Sequence, residues 1–188
     1  MHKIIVIAFT SLDGIIEDPD GSRGTANGGW AFRHGPEAVA GDKFALGPVL
    51  ESAALLLGRR TWELFSHLWP NRSDEFSSTM NRIPKLVVSR TLTDVSTWAN
   101  STVVGDDLLP AVEEQTRRRD IVVAGSVSIV HALAAADLVD EYRLLVFPTA
   151  LGEGARLFAA ETAPTHLRLL SADAAGQAVL LRYGRPAG

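Results

Sequence analysis

Residues Ala53-Ala54-Leu55-Leu56-Leu57 form an unbroken apolar run that ends at Gly58, with Arg59-Arg60-Thr61-Trp62 directly behind it. A strand with one wet face alternates apolar and polar residues. A run without alternation belongs in a strand buried on both faces, which is the mark of a parallel sheet. Parallel neighbours need a crossover, normally a helix. The next segment supplies one, opened by Thr61 and running to Trp69, with Leu64, Phe65 and Leu68 on one face. Gly58 suits the sharp turn between them. The free N–H groups at such a helix start favour an anion, and two guanidiniums beside them add forked donors suited to phosphate. Ligands of open α/β sheets bind at these strand ends.

The pattern recurs. Ile121-Val122-Val123-Ala124 is a second apolar run, followed by Gly125-Ser126-Val127-Ser128 and a helical stretch from Val127 to Ala136. Gly125 permits close backbone approach, and Ser126 is a favoured N-cap residue. Between the two lies Lys85-Leu86-Val87-Val88, a third strand, ending in Ser89-Arg90. Three apolar strands each ending in small or basic residues say more than any one of them.

A chain of 188 residues with 46% hydrophobic and 21% charged side chains can bury a real core. The formal net charge of -4 gives no general basic face for nucleic acid, so the arginines of interest are local and suit a small phosphorylated ligand. The absence of cysteine excludes disulfides, thiolate metal sites and a cysteine nucleophile, and fits a cytoplasmic protein. The five histidines are scattered without His-x-x-x-His spacing, and Asp106-Asp107 reads as a helix start, so no metal site is expected. His2 to Phe9 is too short to span a bilayer and reads as a first, central strand; no other segment is long and apolar enough to span one.

The remaining elements follow from pattern. Gly14 marks a bend, Asp18-Pro19-Asp20-Gly21 is a turn, and the Gly-, Asn- and Arg-rich stretch from Asp18 to Gly35 reads as a long mobile loop, of a kind that is often functional in a compact domain. A helix is predicted over Glu37–Glu51, with Gly41 and Gly47-Pro48 as potential breaks, and others over Asp74–Asn81 and Leu108–Arg119. Short strands are predicted at Thr102–Val104 and Glu141–Phe147, and a closing hairpin at Leu167–Leu170 and Ala178–Tyr183 around Gly176. The whole is a single three-layer α/β domain over residues 1–188, with a mostly parallel central sheet and antiparallel C-terminal strands.

On these residues a resemblance rests. Leu55-Leu56-Leu57-Gly58-Arg59-Arg60-Thr61-Trp62-Glu63 resembles the strand-Gly-Arg-x-Thr-Trp-Glu segment of dihydrofolate reductases. Leu86-Val87-Val88-Ser89-Arg90 is similar to their next strand, and Val122-Val123-Ala124-Gly125-Ser126 to their Gly-Gly segment. Ser11-Leu12-Asp13-Gly14, Leu138-Val139-Asp140-Glu141-Tyr142-Arg143-Leu144 and Leu151-Gly152-Glu153-Gly154-Ala155-Arg156-Leu157-Phe158 resemble the riboflavin-pathway reductases, the C-terminal domain of the bifunctional deaminase-reductase. The chain looks most like stand-alone members of that branch of the dihydrofolate reductase-like superfamily.

The resemblance implies NADPH-dependent hydride transfer to a small polar heterocyclic or ribosyl substrate, most like 5-amino-6-(5-phosphoribosylamino)uracil reductase, with a pterin reductase or a non-catalytic nucleotide-binding protein as alternatives. It implies that Gly58, Arg59, Arg60 and Thr61 meet the cofactor phosphates, that Ser89 and Arg90 meet the 2′-phosphate, and that Ala124, Gly125, Ser126 and Val127 lie on the pyrophosphate. Ala8 is placed near the nicotinamide and Asp13 near the reaction centre, unless Asp13 only holds the turn. Asp42, about sixteen residues before the Gly-Arg pair, stands near where dihydrofolate reductases carry their helix acid. Trp30 is a candidate to close over a substrate ring, or else a packed loop anchor. Homodimerisation is implied as well, with Leu144, Val146 and the C-terminal hairpin offering an apolar surface.

Overall fold

The computed structural model describes residues 2–105, 107–160 and 162–186. Eight strands form one sheet: β1 (Ile4–Thr10), β2 (Ala54–Gly58), β3 (Lys85–Val88), β4 (Ser101–Val103), β5 (Ile121–Val123), β6 (Glu141–Val146), β7 (Arg168–Ala175) and β8 (Ala178–Gly184). Their order is β4-β3-β2-β5-β1-β6-β8-β7. Every pairing from β4 to β6 is parallel, and β8 pairs antiparallel with both β6 and β7. The unbroken apolar runs take the middle: every residue of β2 and β5 is buried, because helices cover both of their faces.

Three layers result. On one face, Leu55, Leu57, Val87 and Val122 pack with Trp62 of α2 (Arg59–Leu68), Met80 of α3 (Glu75–Arg82), Leu50 of the single-turn α1 (Val49–Ser52), and Trp98. On the other, Ile4, Val6, Leu56, Ile121 and Val123 pack with Val112 of α4 (Leu108–Thr116) and Ile129, Val130 and Leu133 of α5 (Val127–Ala135). A third cluster joins Trp30, Ala31 and Ala38 to Leu145, Phe147 and Leu180. This is the three-layer α/β/α arrangement expected, with the antiparallel strands where the hairpin pattern placed them.

Two charged groups sit inside it. Lys85 is 1% exposed; its Nζ donates to the carbonyls of Asn81 at 2.6 Å and Ala99 at 2.9 Å and lies 4.4 Å from the centre of the Trp98 ring. Burial pushes its pKa down to about 8. Glu141 accepts from Arg143 at 2.8 Å and from Arg182 at 2.9 Å, and Arg143 also donates to the carbonyls of Phe44 and Ala45. Burial pushes the Glu141 pKa up, but the hydrogen bonds and charges of Arg182 and Arg143 outweigh it, so the net shift is downward.

The predicted helix over Glu37–Glu51 does not form. A 3-10 turn at Pro36–Ala38 and α1 are all the helix in this stretch. Gly41, Ala45 and Gly47 have φ of 73°, 50° and 43°, and left-handed residues interrupt a right-handed helix. The loop from Asp18 to Gly35 is tied down rather than loose. Asp18 is 3% exposed and accepts from the N–H groups of Arg23 and Thr25 and from the Thr25 hydroxyl. The charge-rich stretch after Leu108 is helical only to Thr116, and Arg117 and Arg118 reach back to Glu114 on the surface. Asp107 occupies the cap position without a side-chain cap bond, and Asp106 lies outside the described residues.

Candidate active site

Because β3, β2, β5, β1 and β6 run parallel, their C-terminal ends share one edge of the sheet, and the loops leaving them meet there. The tightest meeting is between β2 and β5. The Gly58 N–H donates to the Gly125 carbonyl at 2.9 Å. A Cβ on Gly58 would stand 2.6 Å from Ser126 Oγ and 3.0 Å from Ser126 Cβ, and one on Gly125 would stand 3.3 Å from Thr61 Oγ1. The Gly125–Ser126 peptide is cis. Gly125 has φ of 110°, which suits glycine alone, whereas Gly58 is ordinary extended backbone and is needed for the space it leaves. Two glycines thus let the chain turn from β2 into α2 and from β5 into α5 side by side.

Each turn leaves a helix start facing the edge. Gly58 caps α2 and Ser126 caps α5, and among the described residues neither start carries a side-chain cap bond. The Ser126 hydroxyl pairs with Ser128 Oγ at 2.9 Å, so Ser126 holds the cap position without capping through its side chain. α2 begins at Arg59 rather than Thr61, which puts both arginines in its first turn, exposed. Arg59 lies 3.9 Å from Glu63, a loose pair. After β3, the Ser89 hydroxyl accepts from the N–H groups of Thr91 and Leu92 at 3.2 and 2.9 Å, turning the chain so that Arg90 stands exposed. Ala8 lies within β1, opposite Leu144 of β6.

The turn after β1 forms the other half of the edge. Asp13 accepts from Ser11 Oγ at 2.6 Å, Leu151 N–H at 3.1 Å and Gly152 N–H at 2.7 Å. These hydrogen bonds, that of Ser11 foremost, hold the Asp13 carboxyl down to about 2. Asp13 therefore stitches the β1 turn to the loop after β6 and is ionised at neutral pH. Arg156 donates to the Asp13 carbonyl and, at 3.5 Å, to that of Gly152, while His131 on α5 bonds the Arg156 carbonyl at 2.8 Å. A cavity of about 200 Å³ opens beside this stitch, lined by Ile15, Glu17, Thr25, Asn27, Leu151 and Glu153.

Two expected site residues are placed otherwise. Asp42 is in a loop, not on a helix; its two oxygens accept from the N–H groups of Leu46 at 2.9 Å and Gly47 at 2.7 Å, and it shares no partner with Asp13. Trp30 is 1% exposed, edge-on to Phe147 at 5.7 Å with Nε1 donating to the Glu17 carbonyl at 2.8 Å. It is a packed loop anchor, and the buried ring presents no face to a substrate. Sequence reasoning assigned no role to Arg156 or His131. The first lay inside a recognised segment with no signal of its contacts, and the second was one histidine on a helix.

Two helix starts thus open at this edge, one of them with Arg59 and Arg60 exposed in its first turn. The chain belongs to the RibD C-terminal domain family, whose pattern matches residues 2–181. It is similar to YwjB of Bacillus subtilis, 28% identical over 186 residues and 98% of both chains. It is also similar to YyaP of the same organism, 30% identical over 111 residues, which is 55% of this chain and 58% of YyaP. Both are uncharacterized proteins. A Shewanella sp. PV-4 structure named for riboflavin biosynthesis matches with a TM-score of 0.74 over 98% of this chain and 99% of that one, at 22% identity. Acinetobacter baumannii RibD matches with a TM-score of 0.65 over 98% of this chain at 19% identity, and this chain spans 58% of it. These likenesses establish the dihydrofolate reductase-like fold. Among the described residues, no helix is long and apolar enough to cross a membrane, and no group of three or more His, Asp or Glu is placed to hold a metal.

Proposed function

We propose that this chain is an NADPH-dependent reductase acting on a small polar heterocyclic or ribosyl substrate, most like 5-amino-6-(5-phosphoribosylamino)uracil reductase. The observation that carries the reading is the junction of β2 and β5, where two helix starts lacking side-chain caps open side by side beside Arg59 and Arg60. Membership of the RibD C-terminal domain family supports a riboflavin-pathway reductase-like function.

The residues present fit a dinucleotide. A pyrophosphate needs backbone donors, local positive charge and room for close approach. The junction offers the N–H groups of the α2 and α5 first turns and two exposed guanidiniums, and the glycines at 58 and 125 let the two turns lie close enough to act together. When bound, NADPH supplies the hydride. Arg59, Arg60 and Thr61 hold one side of the phosphates, and Ala124, Gly125, Ser126 and Val127 the other. Arg90 and Ser89 take the 2′-phosphate, and the Ser89 oxygen, already an acceptor for its own turn, keeps its proton to donate. Ala8 borders the nicotinamide through its backbone. Asp13, ionised, holds the loop at Leu151 and Gly152 against the substrate cavity and donates no proton at neutral pH. The pterin alternative loses its acid, because Asp42 is engaged in its own turn. The protein is expected in the cytoplasm, with a small molecule rather than nucleic acid as its partner.

Titration calorimetry with NADPH and NADH tests the reading, with Arg59→Ala and Arg90→Ala in parallel. Micromolar binding of NADPH, weaker binding of NADH and loss in both variants are expected. No binding of either nucleotide refutes it. NADPH binding without turnover of 5-amino-6-(5-phosphoribosylamino)uracil leaves the cofactor site standing and favours the non-catalytic alternative.

A further inference from the structure

Tyr142, the second residue of β6, is 3% exposed, and its hydroxyl has no hydrogen-bond partner among the described residues. A buried tyrosine hydroxyl ordinarily finds one. Phe158 packs against the ring at a centroid distance of 5.4 Å and fixes its direction. The hydroxyl feels the charges of Arg185 and Asp137, and all three residues line one cavity of about 490 Å³. This cavity is larger than the one of about 200 Å³ beside Asp13 and falls in the size range of small-molecule sites. It lies at the other end of the sheet. There β6 begins and β8 ends, with Glu141 paired to Gly184. Ala134 and Ala135, which also line it, are the last residues of α5, whose start faces the proposed cofactor edge. Nine residues of helix, roughly 13 Å, separate the two.

We infer that this cavity is a second binding site, for a small uncharged molecule with an apolar body and a hydrogen-bond acceptor that the Tyr142 hydroxyl meets. The walls supply the apolar part, from Ala134, Val139, Pro164, Leu167 and Pro186. A water could pair with the hydroxyl, but at ~30 Å³ per molecule it would leave most of the space against those walls unfilled. The charges decide against an ion. Arg185 donates to Asp140 at 3.1 Å, to the Asp137 carboxylate at 3.0 Å and to the Asp137 carbonyl, so the cation and the carboxylates are committed to one another. Asp137 is 80% exposed, so the rest of its carboxylate serves solvent rather than a cation inside the cavity. α5 brings the partial negative charge of its carbonyl end, which disfavours an anion. His166, the other basic residue of the lining, is exposed. An ion of either sign would thus be buried without a counter-charge. Burial pushes the Tyr142 pKa up to about 12, so the hydroxyl keeps its proton to donate at neutral pH. The site stands apart from the proposed cofactor edge and does not depend on that reading.

Amide chemical shifts of the isotope-labelled whole chain test the inference, in titrations with acetophenone, benzoate and benzamidine. The three probes have nearly one shape and are neutral, anionic and cationic. Acetophenone is expected to bind saturably, in the millimolar range or tighter, and to shift the amides of Ala134, Ala135, Leu167 and Arg185 while those of Arg59 and Ser126 stay in place. Benzoate and benzamidine are expected to bind about tenfold more weakly, or worse. Tyr142→Phe removes only the hydroxyl and is expected to weaken acetophenone about fivefold, with the same amides shifting. Ala134→Leu fills part of the cavity and is expected to abolish binding, with thermal unfolding of both variants as the check on their fold. Absence of acetophenone shifts at those amides overturns the inference. So does equal affinity in Tyr142→Phe, retained binding in a folded Ala134→Leu, or an ion as the tightest of the three probes.

Discussion

Gly58→Ala isolates the contact on which the nucleotide edge depends. Gly58 has φ of -75° and ψ of 158°, extended backbone that alanine adopts without strain. On backbone grounds alone the substitution is favourable, since glycine in a strand costs about 0.5–1 kcal/mol relative to alanine. Sterically the added methyl would lie 2.6 Å from Ser126 Oγ, 3.0 Å from its Cβ and 3.2 Å from its N. A hydroxyl can rotate away, but the Cβ and N move only with the backbone, so β2 and β5 must part at their ends. Overpacking of this kind costs about 1–3 kcal/mol, which outweighs the propensity gain. The loss is expected in urea unfolding monitored by tryptophan fluorescence. The same movement separates the starts of α2 and α5, so NADPH affinity by calorimetry is expected to fall by about tenfold or more. Ser126→Gly removes the Oγ and Cβ and leaves only the N. In that background Gly58→Ala is expected to be nearly neutral, a coupling of about 1 kcal/mol or more. A Gly58→Ala protein as stable as wild type, or strictly additive effects of the two substitutions, would refute the argument.

Two further predictions concern pH. Lys85 has a folded pKa of about 8 against 10.5 when unfolded, so between those values the unfolded chain binds the extra proton and stability is expected to rise with pH. The rise amounts to on the order of 3 kcal/mol, is measured by urea unfolding at stepped pH, and is absent in Lys85→Met. Asp13 titrates near 2 rather than 3.8, so its contribution is present above pH 3.8 and lost as pH falls toward 2. Acid unfolding of Asp13→Asn is expected to lack that limb, and proteolysis at neutral pH is expected to cut its 148–156 loop faster. An identical acid limb in the variant would show that the carboxylate does not hold the loop.

How far each element could be read from sequence follows from what stabilises it. β2, β3 and β5 were legible because burial on both faces writes itself as continuous apolar runs, and the C-terminal hairpin because Gly176 sits between two periodic segments. The Glu37–Glu51 helix was misread because the pattern does not show that Gly41, Ala45 and Gly47 take left-handed backbone, nor that the Asp42 carboxylate binds its own turn. Arg59 and Arg60 were visible as charges after a strand. Arg156 was not, since its partners are carbonyls far along the chain at Asp13 and Gly152.

The sequence by itself determined the fold class, the parallel core and the strand ends, because hydrophobic periodicity and glycine placement are local properties of the chain. Only the tertiary structure decided what those ends do together: that Gly58 makes room for Ser126, that Asp13 is spent on Leu151 and Gly152, and that Trp30 is buried. Each of these is a contact between residues distant in the chain, and such contacts are fixed by register and packing, which no local pattern records.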